Sequence, residues 1–379
     1  MQLSFWERDA YFGKLDILII GSGIVGLNAA LHLKTNQPQL KVMVVERGLL
    51  PTGGSSKNAG FACFGSPSEL LEDLAYHSEE AVFGLVERRW RGLQRLRQNL
   101  GDAVLDYHRW GGYELFEAQQ EPLYAECLAQ LPYLNKQLQS ITGEPAVYRA
   151  ADHKIDTFGF KQVHHLLEST AEGQLDTGKM ILALTQKVQQ LGVLVLNGLE
   201  VLALHEENQG ISATTRQGIP IQARAALVAT NGFAQQLLPA LSVVPARAQV
   251  LVTKPIPSLQ IKGTFHYDKG FYYFRNIGNR VLFGGGRNLD FAAETTPELG
   301  LTPLVQQKLE ELLRTVILPD TPFEVEHRWS GIMGMGREKT TIVQQVSEHI
   351  SCAVRLSGMG VAIGSLVGEE GAALILQQL

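Results

Sequence analysis

Three glycines in the spacing G-x-G-x-x-G (Gly21, Gly23 and Gly26) follow a β-branched run in the stretch DILIIGSGIVGLNAALHL, Asp16 to Leu33. Each position has a separate physical use. Gly21 allows a tight turn, Gly23 lets a pyrophosphate approach the backbone across Ser22, and Gly26 lets a helix pack closely on a strand. The helix opening at Ile24 and Val25 turns free N–H groups and the positive end of its dipole toward phosphates. Glu46 closes the next apolar run, KVMVVER (Lys41 to Arg47), about 20 residues past the last glycine. A carboxylate there accepts hydrogen bonds from the ribose hydroxyls of adenosine and opposes a 2′-phosphate. The chemistry implied is the binding of an adenine dinucleotide other than NADP. The glycine loop alone leaves NAD and FAD open.

The elements that must hold these residues are legible around them. Ile17 to Ile20 reads as a central parallel strand buried on both faces, Ile24 to Leu33 as a helix, and Lys41 to Arg47 as a second strand. A chain of 379 residues, 45% of them hydrophobic, has length for two or three domains and a large core. A net charge of −5 gives no electrostatic case for a nucleic acid or an anionic membrane as partner. The basic run ERRWRGLQRLR (Glu87 to Arg97) predicts a helix with Trp90, Leu93 and Leu96 inward and its basic residues on the wet face. Cys63, Cys127 and Cys352 show neither metal-ligand nor redox-pair spacing. The polar start MQLSFWERDAYFGK and the absence of a long apolar stretch lead to the expectation of a soluble, cytoplasmic protein.

The next segment favours FAD. A nicotinamide-binding domain proceeds to another βα unit, whereas RGLLPTGGSSKNAGFACFG (Arg47 to Gly65) is a loop of small residues. Ser55, Ser56, Asn58, Ala59 and Gly60 can lay N–H groups and hydroxyls along an extended cofactor. GVLVLNGLEVLAL (Gly192 to Leu204) supplies two short strands. ARAALVATNGFA (Ala223 to Ala234) is a strand ending in a small-residue turn at Thr230, Asn231 and Gly232. HISCAVRLSGMGVAIGSLVGEEGAALIL (His349 to Leu376) reads as a strand, a turn at Gly358 and Gly360, and a helix. A helix N-terminus at that turn would stabilise negative charge on a reduced flavin.

In their order, from SFWE before the first strand to W-S-G-I-M and SGMGVAIGSLVG near the end, these blocks resemble the FAD-dependent D-amino-acid oxidase family. This is the group that contains glycine oxidase, sarcosine oxidase and γ-glutamylputrescine oxidase. The resemblance implies an α/β fold with a discontinuous Rossmann-type, glutathione-reductase-like FAD domain at 1–95, 145–238 and 330–379. It implies a second α+β domain with an antiparallel sheet at 96–144 and 239–329. It further implies that the backbone of Val201 meets adenine, Glu46 meets the ribose, and the Ser55 to Gly60 loop runs from pyrophosphate to flavin. Gly358, Met359, Gly360 and Val361 would sit at the isoalloxazine. The implied reaction oxidises a C–N bond of an amine or amino acid to an imine by hydride transfer to flavin N5. Oxygen or another acceptor would take the electrons. In GQLDTGKM (Gly173 to Met180), Thr177 stands where the family usually has proline.

For the substrate side, strand character appears at Gly111 to Ala118, Pro245 to Pro255, Gly270 to Asn276 and Asn279 to Gly286, with a hairpin turn at Gly278-Asn279. Helices are expected over Glu121 to Leu138 and Leu304 to Thr315. With period two, Phe271, Tyr273 and Arg275 share a face. Arg275 there either grips a carboxylate bidentately, stacks on Tyr273, or pairs with a local acid such as Asp268. Glycine-oxidase-like members carry a carboxylate-clamping arginine after W-x-G-I, and this chain has Met333. The γ-glutamylputrescine oxidase branch also lacks it. Small free amino acids are therefore expected to be poor substrates, unless Arg275 or Arg337 reaches the pocket from another direction. His164 and His165 read as helical and His266 as part of a polar loop, surface or core residues rather than catalysts. Cys63 reads as a small packing residue. Two other readings stay open: an NAD(P)H-dependent flavin monooxygenase, for which no second glycine fingerprint is present, and a flavoprotein retaining FAD in a structural or binding role.

Overall fold

The computed structural model describes residues 2–379. The strand Leu15–Ile20 lies in the middle of an eight-stranded sheet. Its parallel neighbours are Val42–Glu46 on one side and Ile221–Val228 on the other. Beyond them, Leu194–Asn197 and Ile350–Val354 also pair in parallel. A strand apolar on both faces can be used only there, with helices covering each side. Ile342–Gln345 closes one edge, and the hairpin Val201–Glu207/Gly210–Thr215 extends the strand Ile221–Val228.

The C-terminal segment therefore returns to complete the first sheet. Its helix Gly360–Leu376 packs between Ile24–Asn36 and Glu79–Leu100. Small residues permit this three-helix contact. A Cβ on Gly368 would lie 2.7 Å from the Val25 carbonyl oxygen, and one on Gly364 would lie 2.6 Å from Ile24 Cγ2. This packing sets the start of the last helix beside the start of the helix that follows the glycine motif.

The second sheet also has eight strands, in the order Val325–Met335, Val244–Thr253, Arg280–Gly285, Tyr272–Ile277, Thr264–Tyr267, Gly112–Glu117, Val163–Ser169 and Tyr148–Ala150. Its core is aromatic. Phe265 and Phe274 stack at 4.6 Å, and the helix Pro303–Leu312 covers this cluster.

The structure departs from the sequence reading in several places. The second sheet is antiparallel except for the pair Thr264–Tyr267/Gly112–Glu117, which is parallel. The chain between those two strands passes through the first sheet, and so long a crossover allows parallel pairing. Tyr148–Ala150 and Val163–Ser169 pair into the second sheet. Val325–Met335 runs unbroken across the boundary drawn at 330. His164 and His165 lie on a strand rather than a helix. His165 is held by Asp152 and Glu121, each at 2.8 Å, and stacks on Tyr124. His266 is on the strand Thr264–Tyr267, well inside the protein, rather than in a polar loop. Arg89 is not on the wet face of its helix: it is buried and donates to the Phe64 carbonyl at 2.9 Å.

Candidate functional site

A single cavity of about 540 Å³ runs from the carboxyl ends of the first sheet's strands to the inner face of the second sheet. At its first end the wall is mostly backbone. Gly21 sits at φ +108°, a conformation that side chains resist. A Cβ on Gly26 would collide with the Gly21 carbonyl oxygen, so glycine there brings helix and turn together. The N-cap of that helix is Gly23, which supplies no side-chain acceptor. Ser55 Oγ reaches across instead and accepts from Ile24 N–H at 2.9 Å.

Glu46 is nearly buried and faces the cavity. One carboxylate oxygen accepts from Ser22 N–H at 3.3 Å and Ser22 Oγ at 3.2 Å. The other accepts from Gly48 N–H at 3.0 Å and Thr52 Oγ1 at 3.4 Å. These bonds fix the carboxylate in one orientation. Beside it the Arg47 guanidinium stacks on Phe233 at 3.8 Å, and Val201 completes the wall.

Two turns close the middle of the groove. Asn231 sits at φ +47°, and its side-chain oxygen accepts from Arg355 N–H at 3.1 Å and Leu356 N–H at 3.2 Å, tying the turns together. Ser357 and Gly358, at φ +48° and +79°, lead into the helix Gly360–Leu376. The Thr230 and Ser357 hydroxyl oxygens are buried without a partner in this wall. Such orphaned groups, two helix N-termini and a fixed carboxylate fit a long polar cofactor carrying phosphates.

The residues singled out from sequence divide into two sets. Gly21, Gly23, Ile24, Val25, Glu46, Arg47, Ser55, Asn58, Ala59, Val201, Thr230, Asn231, Gly358, Met359, Gly360 and Val361 line the cavity. Ser22, Gly26, Ser56, Gly60 and Gly232 stand behind the wall and shape it. Ser56 Oγ is turned to the Pro51 carbonyl, and Gly60 N–H donates to Asn58 Oδ1 at 2.8 Å. A Cβ on Gly232 would lie 2.6 Å from the Met333 carbonyl oxygen.

At the other end the wall is made of side chains. Phe61 stands edge-on to both Tyr273, at 5.8 Å, and His266, at 5.4 Å. Burial pushes the Tyr273 phenol up to about 12. Cys63 Sγ lies 3.7 Å from Met359 Sδ, and burial pushes its thiol up. Burial disfavours a charged His266, but Cys63 and Glu172 beside it outweigh that and hold the ring well above its ordinary value.

The arginines named from sequence do not reach this chamber. Arg275 follows Tyr273 along its strand but turns under the loop that carries Ala59. It donates to the carbonyls of Ala59 and, at 3.0 Å, Leu175. It is 6% exposed, and burial pushes it down to about 10. Arg337 is exposed and off the wall. Met333 does line the chamber, 3.6 Å from where a Cβ on Gly358 would be.

Sequence reasoning missed Lys269, Arg287, Lys339 and Glu69, all on the chamber wall. Lys339 is paired with Glu69 at 3.2 Å and Asp73 at 2.7 Å. The one local signal for Arg287 was the glycine pair before it. Gly285 and Gly286 take φ +122° and +79° and turn the chain sharply at the end of its strand.

The chain matches the family model described as FAD dependent oxidoreductase over residues 16–374. It is 23% identical over 378 residues to a probable oxidoreductase, OrdL, from Rhizobium meliloti, spanning 96% of this chain and 83% of that protein. Among solved structures it is similar to glycine oxidase from Bacillus cereus, with a TM-score of 0.75, 17% identity and 96% of both chains covered. It is also similar to L-proline dehydrogenase from P. horikoshii, with a TM-score of 0.74, 19% identity, and 96% of this chain and 94% of that chain covered. No helix among the described residues is long and apolar enough to cross a membrane.

Proposed function

Since the chain belongs to the family of FAD-dependent oxidoreductases, we propose that it oxidises the carbon–nitrogen bond of a small amine or amino acid to an imine, which water then hydrolyses. The observation that carries this reading is the continuity of the cavity. A cradle suited to an adenine dinucleotide opens directly into a chamber bounded by Phe61, Tyr273, Phe271 and Met333. FAD, when bound, supplies a hydride acceptor. Glu46 would hold its ribose, the turns at Gly21–Gly23 and Ser55–Ala59 its pyrophosphate, and the segment Gly358–Val361 its ring.

The chain's own contribution is binding and orientation. Phe61 and Tyr273 exclude water from the reacting carbon, and their rings pack a small apolar substrate body. The N-terminus of Gly360–Leu376 presents unpaired N–H groups that favour negative charge at that point of the wall. Oxygen or another acceptor returns the reduced cofactor to its starting state.

The experiment is to purify the protein, release its cofactor by denaturation, and incubate the holoprotein in air with glycine, sarcosine, D-alanine and polyamine derivatives. Yellow protein releasing FAD, with a carbonyl product and ammonia or a shorter amine, is expected. Colourless protein that takes up NAD but not FAD would overturn the reading. Oxidation of NAD(P)H without any amine would favour a monooxygenase instead.

A further inference from the structure

We propose that Arg287 is the anion-recognising residue of the chamber and that the substrate carries a carboxylate. This rests on the reading of the chamber as the substrate site. Nine arginines among the described residues are buried or half-buried, and eight of them have a committed guanidinium. Arg89, Arg247, Arg275 and Arg355 hold backbone carbonyls or buried acids. Arg88, Arg97, Arg280 and Arg328 pair with side chains or carbonyls near the surface. Among these nine, the Arg287 guanidinium alone makes no hydrogen bond and no ion pair. It lies over the face of the Phe291 ring, 4.9 Å from the centroid.

Glu294, the acid whose charge acts on Arg287, does not fill this gap. The Glu294 carboxylate already accepts from Arg247 at 2.8 Å and 3.0 Å, from Gln249 at 2.8 Å and from Thr302 at 3.1 Å. Burial pushes the Arg287 guanidinium below its usual range, and the Glu294 charge offsets this only in part. A half-buried cation on a cavity wall, fixed by the Gly285–Gly286 turn, is completed by an anion that enters the cavity. The planar fork suits a carboxylate, which it can grip bidentately. Of the lysines on the wall, Lys339 is already paired with Glu69 and Asp73, and Lys269 is exposed.

The test uses the FAD-loaded protein and benzoate as probe, with benzamide as its neutral isostere, read as perturbation of the visible flavin band. Benzoate should give a saturable change and benzamide little. Arg287→Met should weaken benzoate binding about tenfold or more, Arg287→Lys less, and Arg337→Met hardly at all. An unchanged thermal midpoint in Arg287→Met would establish that the fold is intact. Benzoate bound equally by Arg287→Met, benzamide bound as tightly as benzoate, or no benzoate perturbation in the unmodified protein would each overturn the proposal. The outcome is separable from the amine reading. Arg287-dependent benzoate binding in a protein that no amine reduces would sink that reading and leave this one standing.

Discussion

The two ends of the cavity are built on different terms. The end proposed for the dinucleotide is backbone: glycine turns, helix N-termini and one carboxylate held by four hydrogen bonds. The chamber end is side chains delivered by strands of the second sheet, by the short separate strand at Phe61, by the helix Pro67–Tyr76 and by loops. A backbone wall constrains sequence through spacing, because a particular residue must lack a Cβ. A side-chain wall constrains it only through three-dimensional convergence. Two arginines make the contrast concrete. Arg275 is committed to two carbonyls under the Ala59 loop, whereas the Arg287 guanidinium stands without a hydrogen-bonding partner on the chamber wall.

The sharpest way to break this contrast is to remove Arg275. Arg275→Met strands the Ala59 and Leu175 carbonyls in the interior, at about 1–3 kcal/mol each. Urea denaturation should show a loss of about 4 kcal/mol, while Arg287→Met should stay within about 0.5 kcal/mol. Equal losses in both variants would erase the distinction. Next in size, Gly26→Ala drives a methyl group into the Gly21 carbonyl and should cost about 3 kcal/mol together with poor FAD retention. A urea midpoint that does not move would show that this helix and turn can part without penalty.

A smaller effect belongs to Glu46. Glu46→Ala should weaken FAD retention about tenfold or more, with the visible band of the remaining flavin unchanged, since Glu46 and the proposed ring position at Gly358–Val361 belong to different parts of the groove. Equilibrium dialysis that finds the original affinity in folded protein would remove this carboxylate from the cofactor site.

The smallest concerns the chamber wall. Burial opposes ionisation of Glu69, but Arg89 and Lys339 outweigh it and hold its carboxyl below the ordinary value of 4.5. A carboxylate lowered on folding adds stability above its unfolded value and loses it as pH falls through the folded one. The deficit of Glu69→Gln relative to the parent protein should therefore be present at neutral pH and shrink as pH drops below 4.5. A deficit constant across that range would mean the pairing contributes nothing through charge.

What was legible in the sequence follows the same division. Gly21, Gly23, Gly26 and Glu46 were readable because a strand, a turn, a helix and a second strand lie consecutively, so spacing along the chain becomes spacing in the groove. The turn at Gly358 was readable for the same reason. Period-two alternation placed Tyr273 on the chamber face but misdirected Arg275, because the strand's inner face extends past the chamber and under the Ala59 loop. His266 was read as a loop residue because its strand is only four residues long and polar in part. Arg287 escaped because no periodicity governs a residue after a glycine turn. The first sheet's C-terminal return was expected through the family resemblance, whereas the placement of 148–169 in the second sheet was decided by hydrogen bonding between distant strands.

The most direct test of the central claim, that a dinucleotide cradle opens into a chamber where C–N bonds are oxidised, is anaerobic mixing of the FAD-loaded protein with matched pairs of compounds. Each amine or amino acid is set against its hydroxyl counterpart, such as glycine against glycolate, and the visible flavin band is followed. The account predicts bleaching by at least one amine and none by the hydroxyl partners. Bleaching by the hydroxyl compounds, or by NAD(P)H with every amine inert, would contradict it.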